Sequence, residues 1–173
     1  MDKPEILKEI LKSRKSTFPQ NYSPEKIEDA VLSEILESAK YVPSHKKTYP
    51  ARLKVFRDEE KDRLGNQLAK IYKETTAPEN FIAKKYEDIP NKISMADTVI
   101  AICINFSGKV PEWEEIASTA AAVENMYLTC AVNEIGCYWS TPGMIRHLGD
   151  FLNLEENQKC YGLFYMGKLN REL

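Results

Sequence analysis

Residues 97–106 read DTVIAICINF. From Val99 to Ile104 every residue is apolar, three isoleucines and a valine among them, and no polar position breaks the run. A strand with one wet face would alternate; an uninterrupted β-branched run is the pattern of a strand covered on both faces, so this segment belongs at the centre of a sheet. It is far too short to span a bilayer, and no N-terminal apolar run resembles a signal peptide. The expected setting is a reducing cytoplasm.

Downstream, the turn residues of SGKVPEW (107–113) lead into EEIASTAAAVENMYLTCAVNEIG (114–136), the longest helix pattern, rich in alanine and closed by Gly136 at a C-cap position. CYWST (137–141), a small helix in MIRHLGDFL (144–152) and a last strand in YGLFYMGKL (161–169) complete the chain. Upstream, PEILKEILKSR (4–14) puts Ile6, Leu7, Ile10 and Leu11 on one stripe, with Pro4 in the first turn. In SPEKIEDAVLSEILESAKYV (23–42), Ser23 reads as N-cap and Pro24 as N1, and the helix ends before Pro43. RLKVFRD (52–58) alternates like a strand with one wet face, KDRLGNQLAKIYKE (61–74) reads as a helix, and Thr75 to Asn91 reads as mixed helix and loop. The order is mixed α and β with no repeat or linker, and 173 residues suit one domain, 1–173, that buries a core without staples.

The net charge of -2 provides no field for nucleic acid, so any anion must be gripped locally. Cys103, Cys130, Cys137 and Cys160 form no CxxC pair and have only His45 and His147 beside them, which predicts free thiols and no zinc site. Dinucleotide, P-loop, α/β-hydrolase and metalloprotease motifs are absent. The spacing of Glu114, Glu115 and Glu124 fits solvated helix faces better than an acid/base pair. SRKST (13–17) ends the first helix with two cations and hydroxyls, a set that either holds a phosphate or complements the helix dipole. His45, Lys46 and Lys47 occupy the loop YVPSHKKTYP (41–50) between helix and strand, where they either meet an anionic ligand or are simply exposed.

Taken in order, SRKS (13–16), PSHKKTYP (43–50), KVPEWEEIASTAAAVENMYLTCAVNEIG (109–136) and YWSTPG (138–143) resemble the nitroreductase family of flavoproteins. The short YdjA-like branch is most similar, through its PDHK-type loop, its VPxWE turn and a tail like LFYMG (163–167). The resemblance implies an α+β, three-layer α/β/α fold, a mostly antiparallel sheet flanked by helices, assembled as an intimate homodimer with FMN at the subunit interface. The small residues from Ala117 to Val123 fit a central dimer helix, or equally burial within one subunit. The chain stops at Leu173, whereas longer members continue into an arm that wraps the partner.

By the same resemblance Arg14, Lys15 and Ser16 would hold the phosphate and ribityl chain of FMN, with Lys15 standing where the family has a second arginine. His45 would contact the flavin, and Tyr41 stands where the branch often has an arginine near the cofactor. Tyr49 and Pro50 replace a Gln-Pro or Asn-Pro pair, and Tyr138, Trp139 and Ser140 would meet the isoalloxazine, Trp139 in place of an arginine. Lys168 or Arg171 would add a cation to the phosphate. The implied function is an FMN-dependent oxidoreductase that takes hydride from NADH or NADPH and passes electrons to a nitroaromatic, quinone or similar small-molecule acceptor in ping-pong turnover. Such chemistry needs no side-chain acid pair, because the cofactor carries it. Two rivals stay open: a protein that stores or senses flavin without efficient turnover, prompted by Tyr41, Tyr49 and Trp139, and an interaction module with no cofactor.

Overall fold

The computed structural model describes residues 2–170. Four strands, β1 (Ala51–Arg57), β2 (Thr98–Asn105), β3 (Ile135–Ser140) and β4 (Gln158–Lys168), form one sheet in the order β1-β2-β4-β3, every neighbouring pair antiparallel. The apolar run is central: from Thr98 to Ile104 nothing is exposed. Ile100 and Ile102 face a layer containing α2 (Asp29–Ser38) and α5 (Glu112–Val132). Val99, Ala101 and Cys103 face the other way, toward α3 (Asp58–Thr75), α4 (Ala83–Ser94) and the buried Ile145, Leu148 and Leu152. The result is a three-layer α/β/α sandwich. Each fully buried isoleucine of β2 contributes about 2–3 kcal/mol of transfer free energy, which is why a two-sided strand organises both layers.

α1 (Lys3–Ser13) forms where its stripe predicts, capped by Asp2, whose side chain accepts from Glu5 N–H at 3.0 Å. No residue of it is buried, and Ile6, Leu7 and Leu11 face outward. α5 is apolar on two sides. Val123, Met126 and Cys130 are buried against the sheet, while Trp113, Ile116, Ala117 and Ala120 are exposed on the opposite side.

Three expectations need correction. α2 starts at Asp29 with Glu28 at the N-cap, because Ser23 is held extended by a bond from its N–H to Lys168 O at 2.8 Å. The wet face of β1 is half-covered: the Lys54 ammonium reaches the Leu152 carbonyl, and Phe56 stacks on Phe151 at 6.0 Å. The segment from Thr75 to Asn91 is mixed helix and loop as expected, and its helix is the greater part of α4, which runs on to Ser94 with Pro90 inside it; Gly65 on α3 makes room, since a Cβ there would meet Pro90 Cα at 3.2 Å. Gly136 is not a helix cap. α5 ends at Val132, Glu134 takes the left-handed turn (φ 56), and Gly136 pairs with Gly167 under the ring of Tyr22, where a Cβ on either would come within 2.7 Å. No helix among the described residues is long and apolar enough to cross a membrane.

Candidate functional site

The first group of side chains gathers where α1 ends against the outer edge of β3. Thr17 N–H donates to Cys137 O at 2.9 Å, and Tyr22 Oη donates to Thr17 O at 2.7 Å, so residues 14–17 run along the strand. The next open donor of that edge, Trp139 N–H, is taken by Tyr127 Oη at 2.7 Å. Burial pushes the Tyr127 phenol above its ordinary range, so it stays protonated at neutral pH and can donate in turn to Ser16 Oγ, 3.4 Å away. The Arg14 guanidinium lies 5.3 Å over the Tyr127 ring, with Glu124 a loose 3.8 Å from its Nε. Arg14 and Ser16 thus turn to Tyr127, while Ser13, Lys15 and Thr17 line a cavity of about 1020 Å³ that Lys168 also borders.

Strand alternation divides the predicted Tyr138–Trp139–Ser140 segment. Trp139 packs on the α5 face, and its buried indole Nε1 has no hydrogen-bond partner among the described residues. It lies so close over β4 that a Cβ at Gly162 would fall 2.0 Å from Nε1. Tyr138 points to the opposite face, between Phe18 (4.8 Å) and Tyr165 (5.3 Å), with Lys92 Nζ 2.5 Å from its hydroxyl. The two aromatic side chains cannot meet one ligand from the same side. Ser140 is half-buried at the end of β3, opposite Leu163. Lys168 is already engaged by Glu28 at 2.6 Å and Glu25 at 3.6 Å, while Arg171 lies outside the described residues.

The second group is the loop from Tyr41 to Pro50. Three non-glycine residues there, Lys46, Lys47 and Tyr49, have positive φ (50°, 52° and 42°). Each left-handed residue costs about 1 kcal/mol or more, so roughly 3 kcal/mol is stored between Lys46 and Tyr49 and must be offset by anchors. The anchors are visible: Tyr49 N–H donates to Ser44 Oγ at 2.8 Å, Ser118 Oγ to Pro43 O at 3.0 Å, and Asn125 Nδ2 to Tyr41 O at 2.9 Å. His45 Nδ1 lies 2.5 Å from Glu114 Oε2, and Lys46 Nζ donates to Lys109 O at 3.0 Å. Tyr41 is 73% exposed and Tyr49 53%. Tyr49 and Pro50 stand at the mouth of a largely apolar groove of about 630 Å³ that continues over Leu36, Leu53 and Val55.

The groups lie at two levels of one helix. Glu114 and Ser118 anchor the His45 part of the loop near the start of α5, whereas Asn125 holds Tyr41 at the level of Glu124 and Tyr127, which serve the α1 end. From Glu114 to Tyr127 is 13 residues, about 20 Å of helix axis at 1.5 Å per residue.

A family model described as the nitroreductase family matches residues 11–168, nearly the whole chain. The chain belongs to the nitroreductase family. A Bacillus subtilis relative named as an NAD(P)H nitroreductase, YfhC, is 22% identical over 166 residues, covering 94% of this chain and 84% of that protein. A nitroreductase-like family protein of Bacillus cereus has a similar fold, with TM-score 0.82 at 21% identity, covering 95% of this chain and 86% of its own. The FMN-dependent nitroreductase NfnB of Mycobacterium smegmatis, solved with NADPH, gives TM-score 0.78 at 13% identity over 99% of this chain and 90% of its own.

In this nitroreductase-family chain, then, Arg14, Ser16 and the backbone of Trp139 converge on one phenol, Lys15 and Lys168 border a shared cavity, and His45, Tyr41 and Tyr49 share the strained loop. Tyr127, the hub of the first group, was not singled out by the sequence, because a tyrosine in an alanine-rich helix reads as core; the ring is core and only its hydroxyl is a linker. The carboxylates also need correction. Glu115 is 1% exposed, with both oxygens 3.2 Å from Ser107 N–H, and Glu114 is spent on His45; of the three only Glu124 has the solvated position expected.

Proposed function

We propose that residues 1–173 form one FMN-binding domain of an oxidoreductase of the short nitroreductase branch, taking electrons from NADH or NADPH and passing them to a nitroaromatic, quinone or similar small acceptor by a ping-pong mechanism. The observation that carries this reading is the Arg14–Lys15–Ser16 turn, pinned to Tyr127 and β3 with donors to spare. Arg14 has only a loose carboxylate neighbour, Lys15 none within 4.0 Å among the described residues, and Ser16 is an exposed residue. A phosphomonoester fits that set: two cations and a hydroxyl at a helix end, fixed by the edge of a sheet. The relative named as an NAD(P)H nitroreductase supports the donor, and a Desulfovibrio desulfuricans protein solved with FMN (TM-score 0.74, 20% identity, covering 99% of this chain and 89% of its own) supports the cofactor.

We also propose a homodimer with the flavin at its interface. Midway between Glu114 and Tyr127 lie Ala120, in the exposed stripe of α5, and the half-buried Ala121. A two-fold axis at that point, pairing two α5 helices antiparallel, sets the His45 loop of one protomer level with the Arg14 turn of the other, and it covers Trp113, Ile116 and Ala117. One cofactor would then be held by both groups: Arg14, Lys15 and Ser16 at its anionic end, Trp139, Tyr49 and His45 about its ring, and Tyr41 at the rim. Lys168 would act mainly through Glu25 and Glu28, bracing the start of α2, and Tyr138 through its packing beneath β3.

Bound FMN supplies the redox chemistry, accepting hydride and releasing electrons to the acceptor. The chain's own residues bind and orient, and the aromatic walls exclude water; no carboxylate pair is required of them. The four free thiols support a reducing compartment such as the cytoplasm.

The test is the visible absorption spectrum of the purified protein before and after anaerobic addition of NADH, then NADPH. Flavin peaks that bleach with one nucleotide are expected. Bound flavin bleached only by dithionite would replace the enzyme by a storage or sensing protein, and a protein that cannot take up added FMN would overturn the reading altogether.

A further inference from the structure

His45 sits beside three positive-φ residues, Lys46, Lys47 and Tyr49, yet one atom of its ring is fixed: Nδ1 lies 2.5 Å from Glu114 Oε2. The partner is well placed. Glu114 belongs to the first turn of α5, where the dipole favours a carboxylate, and its side chain is 21% exposed against 57% for His45. The residue after His45 is tied to the same region, Lys46 Nζ bonding Lys109 O at 3.0 Å, so the loop is fastened at the imidazole and at the next residue to the approach and first turn of one helix.

We propose that Glu114 is a positioning residue: it holds the proton of His45 on Nδ1 and turns Nε2 outward as the ligand-facing atom. An ionised carboxylate can only accept, so the nitrogen facing it must carry hydrogen. In a histidine with one nitrogen so engaged, the other is determined by default, an acceptor when the ring is neutral and a donor when it is charged. A carboxylate behind an imidazole fixes tautomer and ring orientation together, the arrangement that second-layer partners impose on metal-bound histidines. Without Glu114 the exposed ring would rotate and exchange tautomers, and Nε2 would face the ligand only part of the time. That Nε2 faces a flavin rests on the reading above; the Glu114–His45 coupling does not.

Two readouts separate these. The first uses the protein without FMN. The chain has two histidines, His45 and His147, so a long-range proton–nitrogen spectrum resolves both imidazoles. Wild type is expected to hold His45 in the Nδ1–H form; Glu114→Ala loses that preference while His147 does not move, and Glu114→Gln, whose amide oxygen still accepts, recovers it. The second is FMN affinity followed by fluorescence quenching. Glu114→Ala weakens binding about fivefold to twentyfold, the range of one to two hydrogen bonds, and adds nothing in a His45→Ala background, since the two act as a unit. Equal tautomer populations in wild type and Glu114→Ala overturn the proposal, as do additive effects in the double variant. A wild type that binds no FMN but keeps the Nδ1–H preference would uphold the positioning role and sink the flavin reading instead.

Discussion

Tyr127→Phe tests whether the edge of β3 is held as described. The substitution leaves the ring, so the edge-to-face contact with Phe164 (4.9 Å, 85°) and the stacking of Arg14 survive and no cavity opens. Only the hydroxyl goes, and with it the acceptor of Trp139 N–H at 2.7 Å; the 3.4 Å contact to Ser16 is too long to add much. A buried donor left unpaired costs about 1–3 kcal/mol, and because this amide is only partly buried the lower half of that range, about 1–2 kcal/mol, applies. For a chain of this size each kcal/mol lowers Tm by about 2–4 °C, so a fall of about 2–8 °C is expected in calorimetry. Hydrogen exchange supplies the local reading: protection of the Trp139 amide should drop by the same free energy, and that of β2 amides only by the global loss. An unchanged Tm together with undiminished protection at Trp139 would refute the claim that this phenol closes the sheet edge.

Gly162→Ala places a methyl 2.0 Å from Trp139 Nε1 and 2.8 Å from Ser140 O at φ 154, so a loss of more than about 3 kcal/mol is expected, read as a lower denaturation midpoint or insolubility. Lys168→Ala should act through pH. Its hydrogen bond holds the Glu28 carboxyl below the ordinary 4.5 and raises Lys168 above 10.5, so the stability gap between wild type and variant is full between those values. The gap shrinks as acid protonates Glu28 below 4.5 and again as base deprotonates Lys168 above 10.5, which thermal melts across pH will follow. Ala120→Glu sets like charges face to face in a pairing centred on Ala120–Ala121, and sedimentation should report monomer where wild type gives dimer.

What the sequence discloses depends on whether a residue's neighbours in space are also its neighbours in the chain. The run at 97–106 announces its strand because burial on both faces is written into every position, and the stripe of α1 and the loop before β1 are equally local. Pro90 hides α4, since the glycine that makes it tolerable is 25 positions away, at 65. Ser23 looks like a helix cap until Lys168 O claims its N–H. The candidate site divides the same way. Arg14, Lys15, Ser16 and His45 stand out by type and position, whereas Tyr127 and the Glu114–His45 contact become functional only through tertiary partners: Trp139 12 residues and Ser16 111 residues from Tyr127, and His45 69 residues from Glu114. Alternation, readable from YWS itself, also warns that Tyr138 and Trp139 face opposite ways.

Trp139 is half-buried, with its indole Nε1 closed off over Gly162, and this has an optical consequence. The chain holds only two tryptophans, and the other, Trp113, is 68% exposed on the outward side of α5. Their emission should therefore separate into a blue component shielded from iodide and a red one that iodide quenches. The first reports on the floor of the candidate site and the second on whatever covers α5, so an unlabelled sample followed in a fluorimeter tells occupancy apart from assembly.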